Sequence, residues 1–198
     1  MTTVAFTGMP GSGKTEAVKI AQKQDIKVVR MGDIIWEEVK RRGLKINDDN
    51  VGRIASELRV TQGKDICAQR ILLKIREDTV VIDGVRSYEE VETFKKRLTD
   101  FTLVAIHASP TVRYHRILQR QRPDDATTLE QVKKRDAREL AWGIGNVIAM
   151  ADKMFINEGN LDELRIFVDN VLGKKYNARD KNKKQYLSGK KGEGIERR

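Results

Sequence analysis

Gly8-Met9-Pro10-Gly11-Ser12-Gly13-Lys14-Thr15 decides how this chain folds. The string fits G-x-x-x-x-G-K-[ST], the pattern of a phosphate-binding loop. Before it, Thr3-Val4-Ala5-Phe6-Thr7 is a short apolar run rich in β-formers, and after it Glu16-Ala17-Val18-Lys19-Ile20-Ala21 reads as helix. Strand, loop and helix in that order are the context the motif requires. The glycines let the main chain bend and turn successive N–H groups toward a polyphosphate, helped by the positive end of the helix. Gly8, Met9, Pro10, Gly11, Ser12 and Gly13 are therefore candidate nucleotide-binding residues. Lys14 is placed to reach the β- and γ-phosphates of ATP, and the Thr15 hydroxyl to hold Mg²⁺.

Further along the chain, strands and helices alternate. Ile26–Val29 is a second strand, and Asp33 opens a helix that stops near Gly43. Asn47 caps the next helix, with Val51, Ile54, Ala55 and Leu58 at helical spacing on one face. Residues 64–75 continue helical. Thr79–Asp83 is an apolar strand ending in an acid, and Ser87-Tyr88-Glu89-Glu90 is a capping box. Phe101–His107 is a strand. Ser109-Pro110 starts a helix to about Arg120. Thr127-Thr128-Leu129-Glu130 is another capping box and opens one long helix ending near Met150. A last strand lies at Lys153–Ile156, and Asn160 caps a final helix to about Leu172.

The strands are apolar throughout rather than alternating, so both faces of their sheet are covered. This predicts an α/β fold of the P-loop NTPase type, three layers α/β/α around a five-stranded parallel sheet. Ligands bind beyond the carboxyl ends of such strands. The gap between the second and third strands is too long for one crossover helix. It reads as a helical, acceptor-binding insert at about 32–76. The expected organisation is one domain over 1–172, with that insert and a short lid at about 116–127, then a basic tail over 173–198.

Of the net charge of +10, the tail holds most: ten Lys/Arg stand against three Asp/Glu in 173–198. The tail is too poor in apolar residues to offset its own ordering entropy. Cys67 is the only cysteine, which excludes an intrachain disulfide and fits a reducing, cytoplasmic setting. No apolar run reaches the ~18 residues of a membrane span, and the first residues read as strand rather than signal peptide. His107 and His115 have no zinc-type partners.

Asp83 ends an apolar strand, where a Walker B acid stands and holds Mg²⁺ through water. No Asn-Lys-x-Asp string for guanine exists, and the chain is too short for a motor ATPase. What remains is a small-molecule kinase: a phosphate loop, an insert for the acceptor, and an arginine-rich segment closing over the donor.

Over residues 3–172 the chain resembles the P-loop nucleoside monophosphate kinase superfamily, and within it an archaeal adenylate-kinase-related, dephospho-CoA-kinase-like family. The residues carrying this are Gly8 to Thr15, Met31-Gly32-Asp33-Ile34-Ile35, Val81-Ile82-Asp83-Gly84-Val85-Arg86, Arg116 to Asp125 with Arg135, and Ala151-Asp152 with Asn157-Glu158-Gly159. The resemblance implies an ATP- and Mg²⁺-dependent transfer of the γ-phosphoryl to a nucleotide-like acceptor.

It further implies roles for single residues. Asp33 is a candidate base for an acceptor hydroxyl, or a plain helix cap. Arg86 resembles the acceptor-phosphate arginine of an Asp-Gly-x-x-Arg string, here one residue closer to its aspartate. Arg53 and Arg59 supply acceptor charge if the acceptor group is a phosphate. Arg116, Arg120 and Arg122 form the lid, since guanidinium forks match phosphate oxygens. Asn157 and Gly159 lie in the loop whose backbone frames the donor base. Trp36 stands where adenylate kinases place an AMP-gripping arginine; it reads as core, with stacking on a base as the alternative. Trp142 reads as core beside Leu140, Ile144 and Val147. The basic tail motivates a different function, a P-loop ATPase with an RNA or ribosome-assembly role through weak, salt-sensitive nucleic-acid contacts.

Overall fold

The structure is a computed structural model and describes residues 2–120 and 126–173. Strands β1 (Thr2–Thr7), β2 (Lys27–Arg30), β3 (Thr79–Asp83), β4 (Asp100–His107) and β5 (Lys153–Ile156) form one sheet in the order β2-β3-β1-β4-β5. Every neighbouring pair is parallel. The expected five-stranded parallel sheet is therefore present.

Successive residues on a strand point to opposite faces, and here both faces are dry. On one face Val4, Phe6, Val81, Val104 and Ile106 pack with Ala17, Val18 and Ala21 of α1 (Lys14–Gln22) and with Leu164 and Val168 of α9 (Leu161–Val171). On the other, Ala5, Val80, Ile82 and Leu103 meet α2 (Met31–Arg41), α3 (Asp48–Gln62), α4 (Ile66–Leu72), α5 (Tyr88–Arg97) and α8 (Ile144–Ala149). The three layers follow from that division. Helices α2, α3 and α4 occupy the stretch between β2 and β3 read as an insert. Among the described residues no helix is long and apolar enough to cross a membrane.

Helix starts follow their local signals. The Asn47 side chain accepts from the Asn50 amide, and Ser87 with Glu90 makes both bonds of a capping box. Several readings need correcting. Helix α2 begins at Met31 with Arg30 as its cap, so Asp33 lies in the first turn and is not the N-cap. There its carboxylate still complements the helix dipole. The capping box before α7 (Leu129–Ala141) is Thr128 with Gln131, one residue later than read. The single long helix to Met150 is two helices, because Gly143 takes φ +100° between α7 and α8. Leu140 is consequently exposed rather than core. Arg122 and the tail lie outside the described residues.

Phe94 of α5 is fully buried and stacks on Phe101 of β4 with ring centroids 5.7 Å apart. Truncation there leaves a cavity that the layered packing cannot close. Phe94→Ala should cost about 3–5 kcal/mol. Urea melts should show a lower midpoint with an unchanged slope; a midpoint within error of the parent would contradict this packing.

Candidate active site

The loop between β1 and α1 carries the site. Gly11 has φ +80°, and a Cβ there would sit 2.6 Å from the Arg113 carbonyl oxygen of α6 (Pro110–Arg120), so only glycine fits. Gly13 takes φ +105° as the cap of α1, with no side-chain hydrogen bond to the first amides of that helix. Those amides and the dipole behind them are the features that bind an anion. The Ser12 amide donates to the Met9 carbonyl at 3.1 Å, which closes the turn.

Buried polar groups set the loop's shape. Arg113 makes a two-pronged contact with Asp136 of α7 at 3.0 and 2.6 Å and donates to the Pro10 carbonyl at 2.9 Å. The Tyr114 hydroxyl also donates to Asp136, at 3.2 Å. Sequence reasoning missed Arg113 and Asp136. Their signal is present: each occupies the inward position of an amphipathic helix, Arg113 one turn from Ile117 and Asp136 one turn from Val132. A charge at such a position must be paired. The Asn157 side chain is buried and donates to the Ser12 carbonyl at 2.8 Å. Asn157 thus braces the loop, and neither it nor Gly159 lines the cavity expected for the donor.

The loop opens onto a cavity of about 830 Å³. Gly11, Gly13, Lys14 and Thr15 form its floor, and Asp83 and Arg86 enter from the end of β3. Arg116 and Arg120 reach it from α6, and Asp33 and Arg59 from α2 and α3. Arg53 does not: it is exposed and lies 3.9 Å from Glu57 on the outer face of α3. Trp36, read as core, is half-buried and lines the cavity, as does Trp142 at the α7–α8 break. Trp142 donates from its indole to Ser56 Oγ at 3.1 Å and carries the Arg59 guanidinium 4.6 Å from its ring centroid.

The titratable groups are strongly coupled. Lys14 Nζ turns back onto the Gly8 and Met9 carbonyls. Burial pulls its pKa down to about 8, against the attraction of Glu139 and Asp83. Glu139 of α7, another residue sequence reasoning missed, lies 3.3 Å from both Arg86 and Arg135. Burial would raise its pKa, but Arg86, Arg135 and Lys14 outweigh it and hold the carboxyl at about 2. Burial raises the pKa of Asp33, with Arg30 opposing. Arg116 has one buried Nη1 with no hydrogen-bond partner among the described residues. Thr15 and Asp83 offer a hydroxyl and a carboxylate on the cavity wall. Hard oxygen donors of that kind, with water, suit Mg²⁺, and the glycine cradle suits a polyphosphate.

Residues 7–133 match the AAA domain family, AAA_17. A UPF0200 protein of Methanosarcina barkeri is 42% identical over 176 residues, covering 87% of this chain and 95% of that protein. One of Hyperthermus butylicus is 44% identical over 174 residues, covering 86% and 93%. The chain belongs to the UPF0200 family of AAA-domain proteins. Among solved structures, shikimate kinase from Bacteroides thetaiotaomicron superposes with TM-score 0.56 at 14% identity, over 86% of this chain and 98% of that one. Shikimate kinase from Acinetobacter baumannii in complex with shikimate gives 0.56 at 12% identity, over 89% and 96%. At such identities the likeness is one of fold: this chain shares the α/β architecture of those kinases.

The depressed Glu139 pKa makes a stability prediction. A carboxyl at about 2 when folded and near 4.5 when unfolded contributes its full stabilisation above pH 4.5 and loses it as pH falls toward 2. Glu139→Gln should therefore melt below the parent at pH 7, and the gap should close between pH 4.5 and 2.5. A gap that stays constant over that window would contradict the Arg86–Glu139–Arg135 arrangement.

Proposed function

We propose that this UPF0200 protein is a cytoplasmic, ATP-dependent small-molecule kinase that transfers the γ-phosphoryl group to a nucleotide-like acceptor, in the manner of adenylate-kinase-related and dephospho-CoA-kinase-like enzymes. The observation that carries this is a single cavity bounded on one side by an amide-lined loop and on the other by helices inserted after β2. A cavity with two such walls brings donor and acceptor together, which a nucleotide switch does not need. The shikimate kinase neighbours carry the same architecture.

Gly8 to Gly13 and the first amides of α1 bind the donor phosphates. Lys14 leaves its two carbonyl partners and moves onto the β- and γ-oxygens, whose negative charge favours its protonated form. Thr15 and Asp83 are the residues that would hold Mg²⁺, which would supply charge neutralisation to the donor phosphates. Arg116 and Arg120, which line the cavity from α6, would close over the transferring group; Arg122, read as part of the same lid, lies outside the described residues. In-line transfer of this kind needs positioning and charge neutralisation more than covalent chemistry. Lid closure excludes water, which otherwise competes as acceptor. Asp33 orients the acceptor from the first turn of α2.

Lys14→Ala should leave the melting curve within a few degrees of the parent and lower acceptor-dependent ADP formation by at least about 10³-fold. Near-parental turnover would refute the mechanism. Slow ADP release that no acceptor accelerates would favour the ATPase reading with an RNA role.

A further inference from the structure

The cavity's arginines differ in how they are partnered. On the wall built from α3, α7 and the turn after β3, each faces a carboxylate. Arg59 lies 3.0 Å from Glu90, and Arg86 lies 3.3 Å from Glu139. Arg135 lies 3.3 Å from Glu139 and 3.6 Å from Asp48, and Arg138 lies 2.7 Å from Asp48. Glu90 is fully buried and the Glu139 side chain is 3% exposed. Four arginines share three carboxylates here, so most but not all of the positive charge of this wall is offset before any ligand arrives; the Nε atoms of Arg59 and Arg138 are buried without a hydrogen-bond partner among the described residues.

A phosphate monoester carries up to two negative charges at neutral pH and needs cations with spare donors. Brought against this wall, it would meet Glu139 in surroundings where like charges repel strongly. The arginines that a phosphate acceptor would use are Arg86, Arg59 and Arg53. The first two are committed to carboxylates, and the third faces away from the cavity. A neutral compound bearing hydroxyls meets the opposite situation. Paired guanidiniums and carboxylates offer donors and acceptors side by side, and Trp36 adds a flat apolar surface.

Asp33 is the contrasting carboxylate. It lines this cavity and also a smaller one of about 220 Å³ beside β2. Among the described residues no ion pair holds its oxygens, whereas Asp48 and Glu139 are held by arginines. A hydroxyl approaching from this side finds one uncommitted acceptor for its proton.

We infer that the acceptor is an uncharged, ring-bearing polyol of the nucleoside class, phosphorylated on a hydroxyl, and that Glu139 and Asp48 exclude phosphate monoesters. This rests on the kinase reading above for ATP-dependent transfer to a small molecule, and sets an uncharged nucleoside-class acceptor in place of one that already carries a phosphate. The hydroxyl oxygen bonds to the γ-phosphorus as the bond from that phosphorus to the β–γ bridging oxygen breaks. ADP leaves with the electron pair of the broken bond. The hydroxyl proton passes to Asp33 and then to water. One hydroxyl and one ATP give one phosphate monoester, one ADP and one proton.

The test uses the full chain with Mg²⁺ and ATP. Adenosine, guanosine, cytidine, uridine, ribose and myo-inositol are compared with the four nucleoside 5′-monophosphates, with products read by mass spectrometry. The expected result is a new monophosphate from an uncharged compound and no diphosphate from any monophosphate. Asp33→Asn should then lower kcat by about 100-fold or more with a small change in KM. Glu139→Gln and Asp48→Asn should each strengthen AMP binding, read by calorimetry, by at least about tenfold through the arginines they release. Asp48 is at the start of α3 and its variant carries this comparison if Glu139→Gln does not fold. Conversion of a monophosphate to a diphosphate by the parent overturns the inference and leaves the kinase reading standing. AMP affinity unchanged in the folded variants overturns it as well. ADP release indifferent to every compound, with no phosphorylated product, overturns both.

Discussion

One buried guanidinium keeps the phosphate loop in shape. Arg113 is shared between the Asp136 carboxylate and the Pro10 carbonyl, so the loop's conformation depends on a charge pair formed by two helices distant in sequence. Removing one partner of such a pair strands a charge in a dry place and costs about 3–5 kcal/mol. Domains of this kind are stable by about 5–15 kcal/mol in total. Those two helices, α6 and α7, flank residues 121–125. Asn157 supports the loop from the other side through the Ser12 carbonyl. The loop is thus fixed at both ends by hydrogen bonds from side chains that do not line the cavity.

The second constraint is electrostatic. A site for polyphosphate must be positive, yet a core cannot hold unpaired arginines. The chain resolves this by dividing the cations. Arg59, Arg86, Arg135 and Arg138 share Glu90, Glu139 and Asp48. Lys14 and the buried Nη1 of Arg116 remain for the donor end. Lys14 shows the consequence of waiting without an anion: it folds onto main-chain carbonyls, and burial lowers its affinity for a proton. The contacts Arg138–Asp48 and Trp142–Ser56 also tie α3 to the α7–α8 break. The same residues shape the wall and hold it in place.

Much of the fold was legible because local rules decided it. A continuous apolar strand such as Thr79–Asp83 can only be covered on both faces, and Asn47, Ser87 and Asn160 announce their helices through short-range hydrogen bonds. The phosphate loop was legible for the same reason. The break at Gly143 was not, because a single glycine inside a helical pattern is compatible with continuation. The site was read less completely. Arg86 and Asp83 stand next to a recognisable strand end. Arg113, Asp136 and Glu139 become partners only when α6, α7 and the β3–α5 turn are brought together. Asn157 follows the last strand as read, and the contact of its side-chain amide with the Ser12 carbonyl forms only when β5 lies beside the loop. Trp36 and Trp142 look like core by composition, and only the tertiary arrangement turns them toward a cavity.

The central claim is that this loop grips the tail of ATP and that Lys14 moves to complete the grip. A crystal structure of the protein with Mg²⁺ and a non-hydrolysable ATP analogue tests it most directly. The account predicts phosphate oxygens against the amides of Gly11 to Thr15, Lys14 Nζ released from the Gly8 and Met9 carbonyls onto the β- and γ-phosphates, and the metal near Thr15 and Asp83. An analogue bound elsewhere, or a loop left empty at saturating concentration with Lys14 still on its carbonyls, would contradict it.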